Sequence, residues 1–177
     1  TQVTDIMAMV ALYRPGPMNS IAEYVRRKRD PNLVTYLDER LKPILERSYG
    51  ILVYQDDVLL IAIQLAGFTW EEADKLRKAM GKKIPAEMAA QKAKLIKGLM
   101  DHGMSQEKSV AMWQLIEPFA AYGFNKSHAA SYGLVAYQTA YFKANFHVEY
   151  MTAVMSAESW DLEKVAEAVT ETRAMGI

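Results

Sequence analysis

The sequence ILVYQDDVLLIAIQLA, residues 51–66, decides the fold class because it can be read as a strand or as a helix. Its first four residues could form a strand. Further along, Val58, Ile61, Ala62 and Leu65 have the spacing of one face of an α-helix. Gly67 follows at the point where a helix would end. The segment therefore predicts a helix that stops at the glycine.

Helix start signals follow on the carboxy-terminal side of this segment. Thr69 and Glu72 have the spacing of a capping box, in which the hydroxyl and the carboxylate each accept a backbone N–H. Pro85 suits a first helical turn, where a proline loses no intrahelical hydrogen bond. Ser105 and Ser127 are further predicted caps. Each signal predicts a helix, and the last of these helices is expected to run to about residue 145.

The remaining breaks complete an all-helical pattern. Residues 4–12 are predicted to form a short apolar helix that stops at the turn Pro15-Gly16-Pro17. Residues 162–174 are predicted to form a last helix that Gly176 ends, and Gly81 and residues 101–103 are predicted breaks between helices. With seven or eight helices, no convincing sheet and no internal repeat, the sequence predicts an all-α fold.

The composition is that of an ordinary globular protein and excludes several classes of function. The 177 residues include 21 basic and 21 acidic side chains, so the net charge gives no sign of nucleic-acid binding. There is no cysteine, which excludes disulfides, thiolate metal sites and cysteine nucleophiles. No apolar run approaches the roughly 20 residues that span a bilayer. We expect a cytoplasmic location and, because there is neither an initiator methionine nor a signal peptide, a piece of a larger chain.

No complete catalytic site is visible in the sequence. The three histidines are far apart and have no second ligand at metal-binding spacing. There is also no P-loop, dinucleotide fingerprint or nucleophile elbow. Asp56 and Asp57 are adjacent, but neighbouring helix positions point about 100° apart and do not readily share a metal. We interpret them as a helix start where acids favour the dipole, and we expect no catalytic and no metal-binding residue in this chain.

A basic stretch, KLRKAMGKK at residues 75–83, is the first candidate anion site. Five of its nine residues are basic and none is acidic. Arginine can bind a phosphate through two parallel N–H donors, which makes a polyanion the expected ligand. Alternatively, these charges belong to a solvated helix end, where cations meet the negative end of the helix dipole.

A second candidate is YGFNKSHAASYG at residues 122–133. Gly123 allows unusual backbone angles or a close approach, and Phe124 offers a flat face. Lys126 and His128 are donors beside a helix start, where free N–H groups and the dipole favour an anion. These groups together suit a phosphorylated ligand with a ring. Alternatively, the segment is a capped turn in which Asn125 bonds to its own backbone.

Four motifs in this order closely resemble the alpha subunit of bacterial DNA polymerase III, a C-family replicative DNA polymerase. They are Arg14-Pro15-Gly16-Pro17, Tyr49-Gly50-Ile51 with Tyr54-Gln55, Leu76-Arg77 with residues 79–83, and residues 122–130. The resemblance covers essentially the whole chain. It implies a palm-linked segment at residues 1–48 and a helical fingers domain at residues 49–177.

The resemblance implies a DNA-directed DNA polymerase whose fingers bind the incoming deoxynucleoside triphosphate. The residues that match nucleotide-binding positions are Arg77, Lys78, Lys82, Asn125, Lys126, Ser127 and His128; expected contacts to DNA or phosphate are Arg14, Lys75 and Lys83. In this family, palm aspartates hold two metal ions, expected as Mg²⁺. That motif is not in this chain, which is therefore expected to be inactive alone. The expected partners are primer-template DNA, deoxynucleoside triphosphates and other replicase subunits, with no membrane.

This chain departs from the family at two places. Lys78 stands where many relatives have arginine, and lysine keeps the charge but loses the planar fork that binds phosphate at two points. Relatives usually have Gln-Glu-Gln where this chain has Gln55-Asp56-Asp57, and the sequence assigns no role to that change.

Other interpretations stay open on the sequence. The error-prone C-family paralogue shares these finger motifs. A non-catalytic helical module could instead bind nucleic acid or a protein through residues 26–29 and 75–83, with steep salt dependence and no preference for a triphosphate. In a purely structural scaffold, the methionine and aromatic residues would only form the core.

Overall fold

The computed structural model describes residues 2–82, 84–119 and 123–177, and within these ranges it is helical with no β-strand. The all-α prediction is therefore confirmed. The described residues form ten α-helices, more than the seven or eight predicted. They are α1 (Val3–Leu12), α2 (Ser20–Arg29), α3 (Lys42–Leu45), α4 (Gln55–Ala66), α5 (Trp70–Lys82), α6 (Pro85–Asp101), α7 (Gln106–Phe119), α8 (Lys126–Asn145), α9 (His147–Ala157) and α10 (Leu162–Ala174).

Most predicted start and stop signals are confirmed. The apolar stretch at residues 51–66 forms α4 from Gln55 onward, and Gly67 ends this helix with a φ of 71°, in the left-handed region. The Thr69 hydroxyl accepts the Glu72 N–H at 3.2 Å, and the Glu72 carboxylate accepts the Thr69 N–H at 3.0 Å, so the capping box before α5 is complete. Pro85 opens α6, and the Ser105 hydroxyl accepts the Lys108 N–H at the start of α7.

Two predicted helix ends are wrong. Gly81 does not stop α5, which continues through Lys82, because a glycine weakens a helix by only about 1 kcal/mol and does not by itself end it. Ser127 does not cap α8, which begins one residue earlier, at Lys126. Asn125 takes the capping position, since its side-chain oxygen accepts the His128 N–H at 2.8 Å.

Three helices, α2, α3 and α9, were not predicted from the sequence. In α2 the short apolar face of Ile21, Tyr24 and Val25 is followed by four consecutive basic residues, and only Tyr24 is buried. In α3 there is a single turn of four residues. The break between α8 and α9 falls at Phe146, where backbone hydrogen bonds continue on both sides and no glycine or proline marks the change.

The described helices fall into two compact units, residues 1–131 and residues 132–177, which we call the amino-terminal and carboxy-terminal units. The predicted boundary after residue 48 lies inside the amino-terminal unit and stays a prediction. In the main core of that unit, α4 packs on α5 and α6, and α6 packs on α7. At Gly98 a side chain would place its Cβ 2.4 Å from the carbonyl oxygen of Ala66, so glycine lets α6 pass close to the end of α4.

A second core in the amino-terminal unit supports the start of α8. It joins α1 and Tyr24 of α2 to Val53 and Tyr54, the two residues before α4, and to Ala129 in the first turns of α8. Tyr54 also forms an isolated parallel β-bridge with Phe124. This second core therefore fixes the start of α8 relative to the start of α4.

In the carboxy-terminal unit α9 packs on α10, and Met151 and Ala168 are buried. None of the described helices is both long enough and apolar enough to cross a membrane.

Candidate functional site

Residues 123–128, which we call the anchored segment, are bonded to the first turn of α4. The Gln55 N–H donates to the Phe124 carbonyl at 2.9 Å, and the Gln55 side-chain amide donates to the Gly123 carbonyl at 3.0 Å. The Asp56 carboxylate accepts the Lys126 N–H at 3.0 Å. These three contacts join residues about seventy positions apart and set where Lys126 begins α8.

Gly123 lies so close to α4 that a side chain does not fit. A Cβ built on it would lie 2.5 Å from Cγ of Gln55 and 3.3 Å from the ring of Phe119. The close approach expected from the sequence is therefore confirmed, and it is what brings the Gly123 carbonyl within reach of the Gln55 amide.

The start of α8 is a capped turn. Asn125 Oδ1 accepts the His128 N–H at 2.8 Å and the Ser127 hydroxyl at 2.6 Å, and the Asn125 carbonyl accepts the Ala129 N–H. The Lys126 N–H is bonded to Asp56. The capped-turn interpretation is confirmed, so an anion at this helix start would be bound mainly by side chains.

Lys126 lies between a buried carboxylate and an aromatic ring. Its ammonium is 3.8 Å from Oδ1 of Asp57 and 5.3 Å from the centre of the Tyr54 ring, and 40% of its side chain is exposed. The Asp57 side chain is only 2% exposed, and its other oxygen accepts the backbone N–H groups of Tyr54 and Val53. Burial raises the pKa of Asp57, while these hydrogen bonds and the Lys126 charge act in the opposite direction.

Phe124 links Arg14 to the same site. The Arg14 guanidinium lies 4.6 Å from the centre of the Phe124 ring, and the His128 ring lies 5.4 Å away at an angle of 48°. Arg14 also donates from Nε to the Ala11 carbonyl at 2.9 Å, which orients its side chain. Arg14 and His128 are thus brought together on one aromatic ring beside Lys126.

The predicted basic residues of α5 form a second group. Ala73, Leu76, Ala79 and Met80 are the buried face of this helix, and Lys75, Lys78 and Lys82 are exposed. We call Lys75, Arg77, Lys78 and Lys82 the α5 cations. Lys83, the last predicted basic residue, lies outside the described residues, as does Tyr122.

Asp74 is a partner that the sequence analysis missed. Its Oδ1 accepts from Nε and Nη2 of Arg77 at 2.9 and 2.6 Å, and its Oδ2 is 2.7 Å from the Lys78 ammonium. These two cations hold the pKa of Asp74 below its usual value. Carboxylates three and four positions before a cation are common helix pairs, and that spacing could have identified Asp74.

The site does not fit a metal ion. Within the described ranges, no three acidic or histidine side chains converge as metal ligands. Asp56 and Asp57 are occupied by backbone N–H groups and by Lys126. The arrangement can instead bind anions, through partly exposed cations: Arg77 and Lys78 beside Asp74, and Lys126 beside the buried Asp57.

Comparisons with known proteins agree on one family. A family profile described as the bacterial DNA polymerase III alpha subunit finger domain matches residues 1–103. The chain is 46% identical to the DNA polymerase III subunit alpha of Thermus aquaticus and covers 15% of its length. It is 45% identical to the protein of that name from Escherichia coli strain K12 and 43% identical to that from Chlamydia pneumoniae. These alignments include 98–99% of this chain, which spans only 14–16% of the length of the three relatives.

Proposed function

Because this chain belongs to the finger-domain family of bacterial DNA polymerase III alpha subunits, we propose that it binds the triphosphate of an incoming deoxynucleotide. The residues proposed to do so are Arg77, Lys78 and Lys82 on α5, and Asn125, Lys126, Ser127 and His128 at the start of α8. Arg14 and Lys75 are proposed to add contacts to phosphate or to DNA.

The observation that carries the proposal is that α4 contacts both the anchored segment and α5, the helix that bears the α5 cations. The anchored segment is bonded to the first turn of α4, and α5 packs against α4 after a connection of only residues 67–69. Helices joined by so short a connection usually run antiparallel. We therefore expect the last turns of α5, which carry Arg77 and Lys82, to lie toward the same end of α4 as Lys126.

The chemistry of phosphoryl transfer favours this use of the cations. A triphosphate carries about four negative charges, and more charge develops on the leaving pyrophosphate, so positioned cations stabilise the transition state. Arg77 can offer two parallel N–H donors, and Lys78 a compact point charge. In the structure, Arg77 and Lys78 are both paired with Asp74 on a solvated helix face. Such exposed pairs contribute little to stability, so phosphate oxygens can replace the carboxylate at low cost.

We propose for the whole polymerase a DNA-directed DNA polymerase activity, with primer-template DNA, deoxynucleoside triphosphates and other replicase subunits as partners. In that proposal the catalytic aspartates and their Mg²⁺ ions belong to a palm outside this chain. The chain supplies binding and orientation of the phosphates, through Arg77, Lys126 and their neighbours.

Single-nucleotide incorporation by the full-length polymerase tests the proposal. Arg77→Ala and Lys126→Ala should each raise the Kd for the incoming nucleotide about tenfold, because a hydrogen bond to a charged group contributes about 1.5–3 kcal/mol. Lys97→Ala is the control, since Lys97 is an exposed lysine on α6 that pairs with Asp101. Unchanged kinetics in both site variants would refute the proposal.

A further inference from the structure

Asp57 is an unexpected residue beside a site for a polyanion. Its carboxylate is 2% exposed and lies 3.8 Å from the Lys126 ammonium, a separation longer than a hydrogen bond. The ammonium is therefore attracted to Asp57 without being tightly bonded to it. Because 40% of the Lys126 side chain is exposed, it has room to turn outward.

The capping role of Asp57 does not explain its charge. At the start of α4, one Asp57 oxygen accepts the N–H groups of Tyr54 and Val53. An asparagine side chain offers the same acceptor oxygen without the cost of burying a charge. The second oxygen, Oδ1, faces Lys126, and this is the contact that only a carboxylate can use as an ion pair.

The surroundings of the pair leave space for movement. A cavity of about 120 Å³ is lined by Arg47, Tyr54, Asp57 and Lys126, together with apolar residues of α1. Three charged residues line it: Asp57 in the first turn of α4, Lys126 on α8, and Arg47 before α4. The Lys126 ammonium is thus not packed into one position.

Building on the proposed function, we propose that Asp57 is a positioning residue that acts as the internal counter-ion of Lys126. In the empty site the carboxylate draws the ammonium inward over the Tyr54 ring. A triphosphate must compete with Asp57 for this ammonium, so the ion pair lowers the affinity of the site for anions. The expected substrate class of the site is unchanged, but Asp57 sets how tightly the phosphates are bound.

Asp57→Asn in the full-length polymerase tests the inference. The variant keeps the acceptor for the Tyr54 and Val53 N–H groups and removes only the charge. We expect it to lower the Kd for the incoming nucleotide about fivefold, as the loss of one competing ion pair of about 1 kcal/mol implies. The maximal incorporation rate should change less than the Kd. Asp101→Asn is the control, because it makes the same chemical change at an exposed ion pair with Lys97 on α6 and leaves the Asp57–Lys126 pair intact; its Kd should stay within about twofold of the parent.

A double-variant cycle separates the inference from the proposed function. Adding Asp57→Asn to Lys126→Ala should no longer tighten nucleotide binding, because the two residues act as a pair. If Lys126→Ala raises the Kd but Asp57→Asn leaves it unchanged or raises it, the counter-ion role is overturned and the proposed function stands. If Asp57→Asn tightens binding equally in the Lys126→Ala background, the tightening comes from the loss of a negative charge in general, and the counter-ion role is overturned. If Lys126→Ala itself leaves the Kd unchanged, the proposed function fails and the inference with it.

Discussion

At the scale of single residues, the contact between Gly123 and Gln55 determines how the anchored segment lies on α4. Gly123→Ala should displace Gln55, whose Cγ would lie 2.5 Å from the new Cβ, and break the hydrogen bond from its amide. We expect a loss of about 1–3 kcal/mol in the free energy of unfolding, measured by urea denaturation of the chain.

Gly81→Ala is the control for this variant. A Cβ at Gly81 meets no atom within 4 Å, and the residue lies in α5. Alanine there should leave the free energy of unfolding unchanged or raise it by up to about 1 kcal/mol. An equal loss in both glycine variants would contradict the close approach at Gly123.

The buried carboxylate of Asp57 predicts a pH dependence of stability. Burial raises its pKa above the ordinary 3.8, so the folded state binds a proton more readily than the unfolded chain. The stability that proton binding to Asp57 contributes is therefore fully present below the unfolded pKa and is lost as the pH rises through the folded pKa. Asp56 and Lys126 act electrostatically on the Asp57 carboxylate, and Arg47 lines the same cavity.

Asp57→Asn should therefore melt at a higher temperature than the parent chain at pH 7. The difference should shrink as the pH falls through the folded pKa of Asp57, because the parent carboxyl then becomes protonated and no longer carries a buried charge. Thermal unfolding followed by circular dichroism across pH 3–8 measures this. A difference in Tm that does not depend on pH would show that the Asp57 charge is not the cause.

The sequence could predict part of the site at this scale. Asn125, Lys126 and His128 stand out because polar residues cluster between two apolar patterns. Asp57 and Arg14 could not be placed beside them, because the pairings of Asp57 with Lys126 and of Arg14 with Phe124 join distant parts of the chain. Only tertiary packing brings these residues together.

At the scale of secondary-structure elements, the capping box before α5 should make a measurable contribution to stability. Thr69→Ala removes the hydroxyl that accepts the Glu72 N–H, and it should lower the free energy of unfolding by about 1 kcal/mol. Thr139→Ala in the exposed middle of α8 is the control, since its hydroxyl donates back to the carbonyls of Val135 and Ala136 in the preceding turn. The control should be neutral or slightly stabilising, because alanine is the better helix former. A Thr69→Ala variant as stable as its parent would contradict the stabilising role of the capping box.

Helix starts marked by a side-chain cap or by a proline were predictable from the sequence. The capping residues of α5 and α7 and the proline of α6 are local signals that the structure confirms. The start of α2 has no side-chain cap, and this helix is stabilised in part by Glu23, which bonds to Arg26 and Arg27. That ion-pair spacing was present in the sequence but carries less information than an apolar face.

At the scale of the whole molecule, the chain is a small part of its relatives, 14–16% of the length of the three compared here. Within the described ranges, no group of residues could hold a metal ion. Because the proposed function assigns the catalytic aspartates and their Mg²⁺ ions to a palm outside this chain, we predict that the purified chain extends no primer in the presence of Mg²⁺ and all four deoxynucleoside triphosphates. The full-length polymerase, assayed in parallel, is the positive control. Extension by the chain that disappears in Arg77→Ala would contradict this prediction.

The fold class and the family motifs could be predicted because they depend on short-range patterns. The division at residues 131 and 132 could not, because it lies inside the continuous helix α8. No proline or glycine loop marks that position, and compactness is a property of tertiary contacts.

The central claim is that Arg77 and Lys126 bind the phosphates of one nucleotide. Its most direct test is the ratio of the Kd for a deoxynucleoside monophosphate to the Kd for the corresponding triphosphate, measured by competition in the full-length polymerase. We predict that this ratio falls about tenfold in Arg77→Ala and in Lys126→Ala, because each variant loses a contact that only the longer phosphate chain makes. It should stay unchanged in Lys97→Ala. A ratio that is the same in the parent, Arg77→Ala and Lys126→Ala would contradict the claim.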